Sequence, residues 1–319
     1  MLMRKLLLLL LGALALAGCN RPPKPPLVFG ATAWPGYESI YLARSKGFLP
    51  KQGILLERYA GEAELVQALR ARKVHLAALT LSRALLLRRD IPDLKIVLVL
   101  DASKGADALL TQPGIHTLAQ LRGKRIVAEN ALRGAYFIDL AARDIGVPTQ
   151  QFDIKSMPAR DQEAAFRTHK VDALVASEPL RSRLLAAGAQ QLLDSSRMPG
   201  KLLDVLVIRD DDIGSYNHEM LQLLKAWRQS VDFIRLNPAR ALEAMAQDEH
   251  ADPGQFSQAM QGVELYGVRR NRELLLNDPP AISPAIDGMQ RFMLNRGLLQ
   301  MGTDASTLLD TTLLGNIGR

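Results

Sequence analysis

The residues able to do chemistry stand at the ends of short apolar runs. Trp34 and Tyr37 flank a Pro-Gly step after residues 27–33, Thr80 and Ser82 close and follow residues 75–80, and Asp101 and Ser103 end and follow residues 95–101. Asn130 follows residues 125–128, and Ser177 and Glu178 follow residues 171–176. Aromatic surface, hydroxyls, an amide and carboxylates thus gather where strands give way to helices and backbone amides are free. Aromatic walls with a few fixed polar groups suit the binding and orientation of a small polar molecule. Each residue also has a plainer use. Trp34 can serve as packing, Thr80, Ser82 and Asn130 as helix N-caps, Asp101 and Asp107 as solvated loop charges, and Glu178 as a cap for the helix opened by Pro179.

Signatures of catalysis are missing. His75, His116, His169, His218 and His250 show no HExxH or comparable ligand spacing, so a metal is not expected. No GxSxG elbow, GxGxxG turn or GxxxxGK[ST] loop occurs, and the expectation is a binding protein without a cofactor, not an enzyme. Cys19 is the one cysteine in 319 residues, which excludes an internal disulfide. It follows Arg4-Lys5, an apolar run over residues 6–17 and the small residue Gly18, the order of a secretory leader cleaved after residue 18. That run is too short to span a bilayer, which takes roughly 20 residues. The alternative is a buried cysteine in an uncleaved apolar segment.

The elements that must position these groups alternate. Strand-like residues 27–33, 54–59, 75–80 and 95–101 interleave with helix-like residues 37–46 and 62–72, where Leu65, Ala68 and Leu69 share one face. A second set follows Gln112-Pro113-Gly114: strands at 125–128, 152–156, 171–176 and 191–193 with helices at 134–145 and 161–169. Another β-rich run covers 204–208. Helices alone are expected after it, one marked by Met220, Leu224, Trp227, Val231 and Ile234 and stopped at Asn237-Pro238, a later one capped by Ser283. Such alternation argues for mainly parallel sheets flanked by helices, an α/β fold. Two sets and a helical tail predict two lobes, with crossings near 111–114 and 204–209; a single large α/β domain is the alternative. The expected division is a leader at 1–18, a lipidated Cys and Pro-rich tether at 19–26, lobe 1 at 27–112 and 206–319, and lobe 2 at 113–205.

The formal charge of +7 includes Arg4 and Lys5 of the leader, and the remaining lysines and arginines are spread along the chain. Nucleic acid is not an expected partner. Residues 21–26, Arg-Pro-Pro-Lys-Pro-Pro, favour an extended, stiff conformation.

Two resemblances add to this reading. Leu16-Ala17-Gly18-Cys19 resembles the bacterial lipobox, which implies acylation of Cys19 and membrane anchoring, and Asn20 implies the outer membrane, facing the periplasm. Trp34-Pro35-Gly36-Tyr37, Ala43, Gly47-Phe48, Leu121-Arg122-Gly123-Lys124-Arg125-Ile126, Val171-Asp172-Ala173, Glu178-Pro179, Asp194-Ser195-Ser196 and Pro199-Gly200 together resemble the solute-binding proteins of ABC importers for taurine, aliphatic sulfonates, nitrate and thiamine precursors. The resemblance implies a type II periplasmic-binding fold whose lobes close on a solute, with an ABC permease, or a membrane sensor protein, as partner. It departs from sulfonate and nitrate binders at Asn130-Ala131-Leu132 and at Ser177. Asp101 and Asp107, if they face the cleft, would disfavour an anion and favour an amine. Enzymes of similar fold that rely on a cysteine-rich motif or a cysteine-attached cofactor find no counterpart here.

Overall fold

The computed structural model describes residues 24–147 and 152–317; Cys19, Asn20, the leader and most of the tether lie outside the described residues. The first half of the chain runs β1 (Leu27–Thr32), α1 (Glu38–Ser45), β2 (Ile54–Tyr59), α2 (Glu62–Arg70), β3 (Leu76–Thr80), α3 (Leu81–Leu87) and β4 (Leu94–Ser103). It continues through β5 (Ala108–Thr111), β6 (Ile126–Ala128), α4 (Ala131–Asp144), β7 (Ile154–Ser156), α5 (Ala159–Arg167), β8 (Ala173–Ala176), α6 (Leu180–Ala186) and β9 (Gln190–Asp194). The remainder is β10 (Leu203–Arg209), α7 (Asp210–Ser215), α8 (Asn217–Leu236), α9 (Pro238–Asp248), α10 (Pro253–Gln261), β11 (Val263–Leu265), α11 (Val268–Leu275), α12 (Ser283–Asn295) and α13 (Ala305–Leu308). Among the described residues no helix is long and apolar enough to cross a membrane.

Two sheets result, in the orders β11-β4-β10-β3-β1-β2 and β7-β6-β8-β5-β9. β1 pairs in parallel with β2 and β3, and β6 with β7 and β8. The sequences explain the pairing: β3, β4 and β10 are near-continuous apolar runs buried along almost their whole length, as strands covered on both faces must be. In the second sheet the side-chain alternation shows directly, with Ala108 and Leu110 in one apolar cluster and Leu109 in the other.

Each change of sheet is followed by an antiparallel strand. β5 runs antiparallel to β8 and β9, and β10 antiparallel to β3 and β4. The chain leaves the first sheet after Ser103 and joins the second at Ala108, then returns between Asp194 and Leu203. Both crossings therefore differ from the positions expected at 111–114 and 204–209. Gln112-Pro113-Gly114 is a turn inside the second lobe, where Gly114 takes a left-handed φ of 92° and Thr111 Oγ1 donates to the Ile115 carbonyl. At the crossings, Ser103 and Ser195 bring their Oγ atoms to 2.7 Å, Gly105 N donates to Ser195 Oγ, Asp107 N donates to Ser103 Oγ, and Ser195 N donates to the Asp107 carbonyl.

Two further expectations are corrected. The tail is not helical alone, because the three-residue β11 joins the edge of β4, a strand too short to read from alternation. Beyond it Asn271 continues the pairing with its side chain, accepting from Val99 N and donating to Val99 O. Ser283 does not cap its helix: its hydroxyl donates to the Pro280 carbonyl at 2.6 Å, and Ile282 holds the N-cap position. The tail wraps both lobes, α8 and α9 against α1, and α12 against α3, with Phe292 meeting Tyr136 of α4 at 5.2 Å between ring centroids. Lys24, in the Pro-rich stretch before β1, lies on the first lobe, with Nζ 2.8 Å from Glu219 Oε2 and over the Tyr216 ring.

Candidate functional site

A cavity of about 310 Å³ opens between the sheets at the carboxyl ends of β1, β3, β6 and β8. Strand ends in α/β sheets leave backbone amides and helix N-termini pointing one way, so this is where binding groups collect. From the first lobe come Thr32, Trp34, Tyr37, Glu62 and Thr80; from the second, Glu129, Asn130, Arg133, Gln162, Ser177 and Glu178.

Trp34 and Tyr37 form one wall, their ring centroids 6.5 Å apart. Trp34 is fixed from below, its indole N–H donating to both oxygens of Asp101 at 3.1 and 3.3 Å. Gly36 makes this possible: a Cβ there would lie 2.2 Å from Asp101 Oδ2, so any side chain would force the loop off its support. Asp101 is thereby fully buried beneath the wall and does not line the cavity. Across the β4–β10 ladder Asp101 stands directly opposite Asp204. Burial, then the charge of Asp204, holds the Asp101 carboxyl well above its ordinary value, against the opposing indole hydrogen bond. Burial raises Asp204 to about 6 even with Arg133 beside it.

The floor is built around Arg133, a residue of the first turn of α4. Its Nη2 and Nε donate to Asp107 Oδ2 at 2.8 and 3.3 Å, and its Nη1 to Asp204 Oδ1 at 3.0 Å. Burial alone would push Asp107 up, but Arg133, Ser177 Oγ–H at 2.5 Å and Ser103 outweigh it and leave the carboxyl below its ordinary value. The same two carboxylates raise the Arg133 guanidinium against the cost of burial. Because α4 belongs to the second lobe and β10 to the first, the Arg133–Asp204 pair bridges the lobes.

A second bridge lies nearer the mouth. Asn130 Nδ2 donates to Glu62 Oε1 and Oε2 at 3.2 and 2.9 Å and approaches Thr80 Oγ1 at 3.4 Å, while Arg83 Nε holds Glu62 Oε2 at 2.8 Å. Asn130 does this while its Oδ1 caps α4 by accepting from Arg133 N, and Thr80 caps α3 by accepting from Arg83 N. The capping and binding readings of both residues are thus compatible. Glu178 does likewise: it lines the cavity, accepts from Ser182 N, and pairs with Arg181 at 2.9 Å.

Of the residues singled out from sequence, Trp34, Tyr37, Thr80, Asn130, Ser177 and Glu178 come together at the cavity, whereas Ser82, Asp101 and Ser103 do not line it. Ser82 is buried against Thr80 Oγ1, and Ser103 belongs to the crossing. Arg133, Asp204, Glu62 and Glu129 were missed. Two of them carried a signal: a lone carboxylate in the apolar run Leu203–Arg209, and a cation in a helix first turn, where the macrodipole opposes it. Among the described residues no cluster of three His, Cys, Asp or Glu side chains is placed to hold a metal.

The model of the NMT1-like family matches residues 20–247. The fold is shared with the ligand-binding component of an ABC-type import system from Staphylococcus aureus, crystallised with zinc, at 13% identity and a TM-score of 0.76 over 93% of this chain and 100% of that one. It is shared equally with the alkanesulfonate-binding protein SsuA from Xanthomonas axonopodis pv. citri bound to MOPS, at 16% identity and a TM-score of 0.72 over 92% and 100% of the two chains. A desulfurization enzyme, DSZB, also has it, at 16% identity and a TM-score of 0.68 over 91% and 98%. Among curated proteins none matches in sequence. The architecture is that of the periplasmic binding proteins.

Proposed function

We propose that this chain, which belongs to the NMT1-like family, captures a small polar solute between its lobes and delivers it to an ABC permease. The observation that carries the reading is the cavity itself, walled by Trp34 and Tyr37 on one lobe and by Asn130 and Ser177 on the other, with Arg133–Asp204 and Asn130–Glu62 contacts joining the two. Aromatic rings supply apolar contact and the polar groups fix orientation. The roles of the ABC-type import component and of the alkanesulfonate-binding protein SsuA support transport.

The chain is placed by this proposal in the periplasm, anchored through acylated Cys19, with Asn20 directing it to the outer membrane. Cys19→Ser should abolish incorporation of a fatty-acid probe; label retained on the Ser variant would remove the anchor from the scheme. The solute is sought by mass spectrometry of material released from the purified protein and by thermal shift against a metabolite extract. A ligand present at 100 times its Kd adds about 2.7 kcal/mol to stability. It should also shrink the radius of gyration measured by small-angle scattering, and an unchanged radius with a bound solute counts against closing lobes.

A further inference from the structure

The charge arrangement of the cavity says which kind of solute it would take. Three guanidiniums reach the lining, and each is engaged by a carboxylate: Arg133 by Asp107 and Asp204, Arg183 by Glu163 at 2.9 Å, and Arg160 by Asp161 at 3.9 Å. Arg160 lies at the mouth with its side chain 80% exposed. On the acidic side, Asp107 and Asp204 share the single charge of Arg133, which leaves an excess of negative charge at the floor. Glu178 is matched by Arg181 and Glu62 by Arg83. Glu129 is different. It lines the cavity, and among the described residues its carboxylate has no hydrogen bond and no ion pair, its backbone carbonyl alone accepting from Ser156 Oγ.

Glu129 also reaches across the cleft. Its Oε1 comes within 3.9 Å of where a Cβ on Gly61 would stand, beside Glu62 at the start of α2 in the opposite lobe. Closing the lobes therefore brings two carboxylates toward one another at the mouth, above a floor that is itself acid-rich. Like charges facing each other in a partly dehydrated cleft oppose closure. A solute shifts lobe closure only by the extra free energy it gains in the closed form, and a cation between Glu62 and Glu129 gains most there.

Resting on the solute-capture reading, we propose that the cleft selects a small organic cation or zwitterion whose ammonium or amidinium group lodges between Glu62 and Glu129. An anion such as a sulfonate meets the acid-rich floor and Glu129, the lining carboxylate without an ion pair among the described residues.

Two measurements on the folded, full-length mature protein test this. Lobe separation is followed by distance measurements between spin labels, one per lobe, in the ligand-free wild type, Glu129→Gln and Glu129→Lys. The Lys variant, which supplies a tethered ammonium, should shift toward the closed separation, and Gln should shift less. Equal separations in all three overturn the proposal. Calorimetry then compares benzylammonium with benzenesulfonate, rings of like size and opposite charge. Benzylammonium should bind at least about tenfold more tightly, and Glu129→Gln should weaken it by about tenfold while leaving the circular dichroism unchanged. A sulfonate preference, an ammonium affinity indifferent to Glu129, or binding of neither probe overturns the charge assignment. Solute capture is judged separately by the released-ligand experiment.

Discussion

The floor and the mouth of the cavity use the same kinds of side chain to opposite ends. At the floor, Arg133, Asp107, Asp204 and Asp101 are buried, and each is bonded to or opposed by another member of the set. At the mouth, Glu129, Arg160 and Arg183 remain open to water. Charges withdrawn from water persist only when paired, so the floor is an internal structure that couples the lobes. Glu129, exposed and without an ion pair among the described residues, stays available to a solute. A charged residue beside a cavity is thus not by itself a binding residue; its partners decide.

The sharpest way to break this contrast is to delete the centre of the floor. Arg133→Ala leaves Asp107 and Asp204 buried without a cation and should cost about 3–5 kcal/mol in urea unfolding. The same change at Arg183 should stay within about 1 kcal/mol, as for an exposed pair. Similar costs at both sites would erase the distinction. The next effect concerns the wall. Trp34→Ala should weaken the recovered solute by about 2 kcal/mol or more in calorimetry, as expected of an aromatic anchor, and wild-type affinity would make Trp34 mere packing.

The smallest effect is a matter of pH. Asp101 and Asp204 both titrate above their ordinary values in the folded protein, burial being the first cause. The native state therefore holds protons that the unfolded chain has released. Stability must fall as pH rises from the ordinary carboxylate range near 4 through about 6, where Asp204 titrates, and beyond as Asp101 is approached. Asp101→Asn keeps an acceptor for the Trp34 indole and removes one titration. It should flatten this decline and gain about 1 kcal/mol at neutral pH. Urea midpoints across pH 5 to 8 give the comparison, and parallel curves for the two proteins would contradict it.

Much of this architecture was legible in the chain. Apolar runs ending in polar groups located the strand ends, and with them Trp34, Tyr37, Asn130, Ser177 and Glu178. The partnerships were not legible, because they join residues 26, 71 and 103 positions apart: Arg133 with Asp107, Arg133 with Asp204, and Asp101 with Asp204. Asp101 illustrates the limit. Its type and place at a strand end read as a ligand contact, yet its register against Asp204 and the bond from Trp34 turn it inward. The crossings were misplaced for a related reason: a Pro-Gly step announces a turn, but hydroxyl contacts between distant serines leave no local pattern.

Those serine contacts tie the two crossings to each other. With Ser103 and Ser195 locked at 2.7 Å, and the backbone at Gly105 and Asp107 tied to them, the outgoing and returning chains form a single joint. Twisting one crossing strand against the other would break these bonds. Rotation of the lobes about that joint would leave it intact and bring the same residues face to face at every closure.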